Sequence, residues 1–128
     1  YDDVKSYDQM TRDEINKVPF DINEFKSHIK IGDVYGEEGY STVERIGIRP
    51  TLDVNGIWGG YTNEGAKTVL PSKAYAKISM RLVADQSSKK ISNLFSEHLR
   101  KICPESCTIK VIEHHGGEPC IVNTNTSQ

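Results

Sequence analysis

Arg81 carries the clearest chemical promise in this sequence. It lies on the polar side of an alternating run, Lys73 to Val83, whose other side is apolar. A planar guanidinium on such a face can grip a carboxylate through two parallel hydrogen bonds. The competing reading is a surface ion pair of small energetic value. His114-His115, followed by Gly116-Gly117, is the most suggestive polar cluster, because a histidine beside glycines at a strand end can face a ligand. The plainer alternative is a pair of surface loop residues. Thr68, ahead of Val69-Leu70-Pro71, offers a hydroxyl at a strand edge.

Other groups point away from a complete site. Cys103 and Cys107 are followed by His114, His115 and Cys120, but the spacing is not that of paired zinc-binding knuckles, and ordinary thiols are expected. Three cysteines, an odd and small number, suggest a reducing compartment, and a cytoplasmic location is expected. Glu37-Glu38 is a carboxylate pair with no third ligand nearby, so a solvated loop is expected. Neither a nucleophile elbow, a phosphate loop nor a His-Glu-x-x-His string occurs.

The elements that must position these residues are legible in outline. Thr11-Arg12-Asp13-Glu14 reads as a capping box for a helix that includes Ile15 and Val18 and stops at Pro19. Asp21 caps a second helix carrying Ile22, Phe25 and Ile29, ending near Gly32. Ser41-Thr42-Val43-Glu44 caps a third, with Gly47 as its expected end. Thr51 to Trp58 suits a strand, and Gly59 to Lys67 a loop. In Lys73 to Val83, Ala74, Ala76, Ile78, Met80 and Leu82 alternate with Lys73, Tyr75, Lys77, Ser79 and Arg81, which predicts a strand with one buried face. Ser87 to Ile102 has the best helical stripe, Ile91, Leu94, Phe95, Leu99 and Ile102, with Pro104 beyond its end. Thr108 to His114 is expected to be a final strand, and 123–128 a frayed tail. The order predicts an α+β chain: a helical and loop lead-in over 1–48, then a partial ferredoxin-like sandwich over 49–122. That sandwich would run strand-strand-helix-strand around an antiparallel sheet.

The bulk numbers set limits. A length of 128 residues suits one domain, and 36% hydrophobic with 27% charged residues allows a modest core. A net charge of -2 argues against a nucleic-acid partner, and no apolar run is long enough for a membrane helix. Tyr1 to Phe20 is polar throughout, unlike a signal peptide.

Four strings in order are more specific than any of these features. They are Arg49-Pro50-Thr51-Leu52-Asp53-Val54-Asn55-Gly56-Ile57-Trp58-Gly59-Gly60; Gly65-Ala66-Lys67-Thr68-Val69-Leu70-Pro71-Ser72-Lys73-Ala74; Lys77-Ile78-Ser79-Met80-Arg81-Leu82-Val83; and His115-Gly116-Gly117-Glu118-Pro119. Together they resemble the zinc-dependent metallopeptidase family of cytosolic nonspecific dipeptidases, carnosinases and succinyl-diaminopimelate desuccinylases. The likeness is strongest over Gly39 to Val83. Asn63, where glycine is common, and Cys120, where an aromatic is frequent, depart from the pattern.

The resemblance implies that this chain is the lid and dimerisation domain of a hydrolase. Its catalytic domain, absent here, would hold two zinc ions and a metal-bound hydroxide. No cofactor is expected on this chain, and the fragment alone is expected to be inactive. The resemblance also implies a homodimer, formed through Ser87 to Ile102 or an edge strand, and a dipeptide substrate shared with the catalytic domain. It places Thr68 at substrate in the partner subunit's active site, Arg81 at the substrate's terminal carboxylate, and His115 near the same pocket. The rival expectation is a free-standing ligand-binding or interaction module with a ferredoxin-like sheet, to be told apart by whether the reading frame continues on both sides.

Overall fold

The structure, a computed structural model, describes residues 1–121. It contains four helices, α1 (Gln9–Ile15), α2 (Ile22–Ile29), α3 (Thr42–Ile48) and α4 (Ser88–Ile102), and two strands, β1 (Thr51–Gly59) and β2 (Ala74–Arg81). The chain divides into two compact units. One is Tyr1–Arg49 with the chain from Leu82 onward, and the other is Pro50–Arg81.

The helix boundaries follow local cap chemistry. α1 does not use the capping box expected at Thr11. The Asp8 carboxylate accepts the Thr11 N–H at 2.8 Å, so the helix starts at Gln9. It ends at Ile15, before Val18, and the Asn16 side-chain amide donates to the Arg12 carbonyl at 2.9 Å. α2 is capped by Asp21 as expected, its carboxylate accepting from the Asn23 and Glu24 amides. It closes at Lys30 in the left-handed region, φ 58°, and not at Gly32. α3 has the full Ser41–Glu44 capping box and runs past Gly47. Its end is set by Pro50, because a residue before proline avoids the helical region; Arg49 is extended at φ -112°, ψ 140°.

β1 and β2 form an antiparallel two-stranded sheet, with Thr51 opposite Arg81 and Trp58 opposite Tyr75. The register shifts between Val54 and Gly56, so Asn55 is an unpaired bulge residue. The bulge changes which residues share a face. Leu52, Val54 and Ile57 stand opposite Met80, Ile78 and Ala76 on the apolar side, while Trp58 joins Thr51 and Asp53 on the polar side.

Two expectations need correction. Residues 108–114 form no hydrogen-bonded strand. Among the described residues the sheet has only two strands, so no third strand gives this segment a ladder. The apolar side of β2 is also not buried: Ile78 and Met80 are half-buried, and Ala74 and Ala76 are exposed. A two-stranded sheet has no second layer of its own to cover that face.

Burial is correspondingly sparse. Among the described residues Ala84 is the only buried hydrophobic one, and Glu44 is the most deeply buried large side chain. Most of the apolar surface that the sequence patterns for a core is therefore still open, including Leu52, Val54, Ile57, Leu94 and Ile102.

Candidate functional site

In the hairpin unit, Arg81 ends the polar row Tyr75, Lys77, Ser79, Arg81 of β2. Its cross-strand partner Thr51 directs its hydroxyl to Asp53 at 2.8 Å. Arg81 is exposed and, among the described residues, makes no side-chain hydrogen bond or ion pair. Arg12, Arg45 and Arg49 are all committed to internal acceptors. Arg81 thus keeps its donor fork free for an outside acceptor.

Thr68 lies on the loop joining the strands and is exposed. The loop residues around it, Lys67, Val69 and Leu70, line an open cavity of about 410 Å³ with Trp58, Tyr61 and Tyr75. Trp58 and Tyr75 stack with centroids 5.2 Å apart and planes 12° from parallel, and Lys67 lies over the Tyr61 ring at 5.1 Å. Thr68 therefore belongs to the loop end of the hairpin and Arg81 to the other end, separated along β2 by about 23 Å at the usual strand rise. The structure does not bring them together.

In the helical unit, His115 is exposed on the segment that returns to the start of α4. Its neighbour Gly116 sits so close to Ser88 that an added Cβ would lie 3.0 Å from the Ser88 Cβ. Glu118 accepts from Ser88, through Oγ at 2.6 Å and the backbone amide at 3.1 Å.

A polar network that the sequence reading missed fixes the lead-in. Arg12 donates to Glu44 at 2.5 Å and 3.2 Å and to the Gly39 carbonyl at 2.6 Å. Glu44 also accepts the Ser41 amide at 2.6 Å. Hydrogen bonds from Arg12, aided by Ser41, hold the Glu44 carboxyl down at about 2, against a smaller desolvation effect. Arg49 grips Glu37 bidentately at 2.6 and 2.7 Å, and this lowers the Glu37 carboxyl. Glu37 is therefore not the solvated loop carboxylate expected. The Tyr40 ring lies against both guanidiniums, 4.6 Å from Arg12 and 4.4 Å from Arg49. Sequence proximity could suggest the Ser41–Glu44 bond, but only the fold pairs Arg12 with Glu44.

Cys103, Cys107 and Cys120 are free thiols. Among the described residues no three His, Cys, Asp or Glu side chains gather as a metal site. Among the described residues these side chains do not assemble a donor set for zinc. No helix among the described residues is long and apolar enough to cross a membrane.

Residues 8–107 match the family model described as the peptidase dimerisation domain of M20 peptidases. The chain belongs to this family. Over 49 residues it is 41% identical to a Cys-Gly metallodipeptidase of Saccharomyces cerevisiae, covering 38% of this chain and 10% of that protein. It is 25% identical over 105 residues to the human beta-Ala-His dipeptidase, covering 80% of this chain and 20% of that protein. Among solved structures, an M20 family metallo-carboxypeptidase from Sulfolobus solfataricus superposes with a TM-score of 0.68 at 35% identity, over 79% of this chain and 23% of that one. Human carnosine dipeptidase 1 superposes with a TM-score of 0.69 at 22% identity, over 79% and 22% respectively, a likeness of fold. The chain spans only about a tenth to a fifth of the curated relatives' length. The M20 dimerisation-domain assignment accounts for the α+β architecture and for the small antiparallel sheet.

Proposed function

We propose that this chain is the lid and dimerisation part of a zinc-dependent, dipeptidase-type hydrolase acting in the cytoplasm. The helical lead-in over 1–48 and the sheet-bearing segment over 49–122 form that lid, and the two zinc ions are held by a separate catalytic domain. The carrying observation is Arg81, an exposed guanidinium without an internal partner at the end of a polar strand face. Its chemistry suits the terminal carboxylate of a dipeptide, and closure over the substrate strips water and strengthens that pairing. The family resemblance assigns His115 to the same substrate.

Thr68 serves a different pocket. A dipeptide is much shorter than the distance along β2 from Arg81 to the loop end, about 23 Å by strand rise, so one chain does not place both residues on one substrate. Thr68 reaching the partner subunit's active site resolves this, and it makes the homodimer part of the chemistry. The open apolar row Leu52, Val54 and Ile57 and the exposed Leu94 and Ile102 on α4 support a covering partner. The free thiols support a reducing location. Nothing in the net charge of -2 favours nucleic acid.

The test is steady-state kinetics of the full-length enzyme with Arg81→Lys. Lysine keeps the charge and loses the fork, so KM for a dipeptide rises about tenfold to a hundredfold, on the scale of a lost charge-assisted hydrogen bond. A KM within twofold of the parent refutes the role of Arg81. The isolated chain, supplied with zinc, shows no dipeptidase turnover; measurable turnover overturns the division of labour.

A further inference from the structure

The first amides of α4 have no acceptors within the helix and need partners from elsewhere. Ser87 occupies the cap position, yet its side chain makes no cap bond. The acceptor comes from far along the chain: the Ser88 amide donates to both Glu118 oxygens, at 3.1 and 3.2 Å, and the Ser88 hydroxyl donates to Oε1 at 2.6 Å. A carboxylate at this place also meets the positive end of the helix dipole. A second contact fixes the same segment independently. Gly116 packs on Ser88 so tightly that a Cβ there would fall 3.0 Å from the Ser88 Cβ and 3.1 Å from its Oγ. Residues 116 and 118 are thus both seated on Ser88, and His115 is the chain neighbour of the first.

We infer that Glu118 is a positioning residue: by capping α4 it docks the His115-Gly116-Gly117 loop and fixes where the His115 imidazole is presented. The inference rests on the proposed substrate role of His115. Glu118 touches no substrate, so its effect passes through the loop.

The experiment compares the parent chain with Glu118→Ala and Glu118→Gln by amide hydrogen exchange and by NMR of the His115 ring. In the parent, the Ser88 amide is protected and His115 gives one sharp set of signals. Glu118→Ala speeds exchange at Ser88 about fivefold, the factor a lost helix cap gives, and shifts or broadens His115. Exchange at Leu99 to Ile102 stays as in the parent. Glu118→Gln, which keeps an acceptor oxygen, restores part of the protection. An unprotected Ser88 amide in the parent overturns the inference, as does a His115 signal indifferent to Glu118→Ala. Kinetics of the full-length enzyme separate the two claims. If His115→Ala raises KM and Glu118→Ala does not, the positioning role fails and the site stands. If His115→Ala changes nothing, the substrate role fails even where the docking is confirmed.

Discussion

Replacing Glu44 with glutamine removes one charge from the most deeply buried large side chain and leaves its shape intact. The carboxylate is 2% exposed and receives Arg12 at 2.5 Å and the Ser41 amide at 2.6 Å. Its pKa falls from 4.5 to about 2, chiefly through the Arg12 hydrogen bond. At about 1.4 kcal/mol per pH unit this corresponds to about 3 kcal/mol of stability at neutral pH. Arg12 is 26% exposed and recovers some hydration when its partner is neutral, so the expected loss for Glu44→Gln is about 2–3 kcal/mol. The sign with pH follows from the direction of the shift. A depressed carboxyl pKa stabilises the fold above about 4.5, and that stabilisation drains away as pH falls from 4.5 towards 2. Urea denaturation followed by circular dichroism at pH 7 and at pH 2.5 reads both effects. The gap between the two proteins is full at pH 7 and mostly closed at pH 2.5. A gap below about 0.5 kcal/mol at pH 7, the usual range of an exposed substitution, refutes the reasoning. So does a gap that does not change with pH.

Tyr40→Leu removes a ring that two guanidiniums share and costs about 1–2 kcal/mol, whereas Tyr40→Phe keeps the ring and stays close to the parent in the same denaturation assay. Lys30→Gly relieves a left-handed residue at the end of α2 and raises stability by about 1 kcal/mol; an unchanged or lower midpoint contradicts the strain assigned to φ 58°. Leu94→Arg, on the exposed side of α4, weakens self-association of the full-length enzyme in sedimentation equilibrium; an unaltered dimer constant excludes this helix face from the interface.

How much of this was legible beforehand depends on how far apart the interacting residues lie. Asp21 and the Ser41–Glu44 box announce α2 and α3 because a cap and its amide are within three residues. The stripe of α4 and the alternation of β2 are periodic, and both elements appear within a residue or two of the expected bounds. The Asp8 cap is less legible, because the Thr11–Glu14 string three residues on has the form of a capping box. Arg12–Glu44 and Ser88–Glu118 join residues 32 and 30 positions apart, which no local rule pairs. The strand expected over 108–114 failed for a related reason: alternation describes one segment, but a ladder needs a second. Thr68, Arg81 and His115 stand out only through the motifs that carry the family resemblance, and their substrate roles are the proposal made above. The separation of Thr68 from Arg81 along the hairpin becomes visible only with the register. The tail expected to fray, 123–128, lies outside the described residues.

The unpaired Asn55 acts as a phase shifter in the hairpin. Counted strictly in twos from Thr51, Ile57 would fall with the polar residues and Trp58 with Leu52 and Val54. With one residue left out of the ladder, the Trp58–Tyr75 stack comes to the same side as Lys77 and Arg81. The relative facing of the two ends of the hairpin is thereby set by leaving Asn55 out of the ladder. A single deletion at position 55 would remove the bulge and leave Trp58 opposite Tyr75 by plain alternation, whereas drawing Asn55 into the ladder would slip the tip by one residue and send Trp58 to the apolar side.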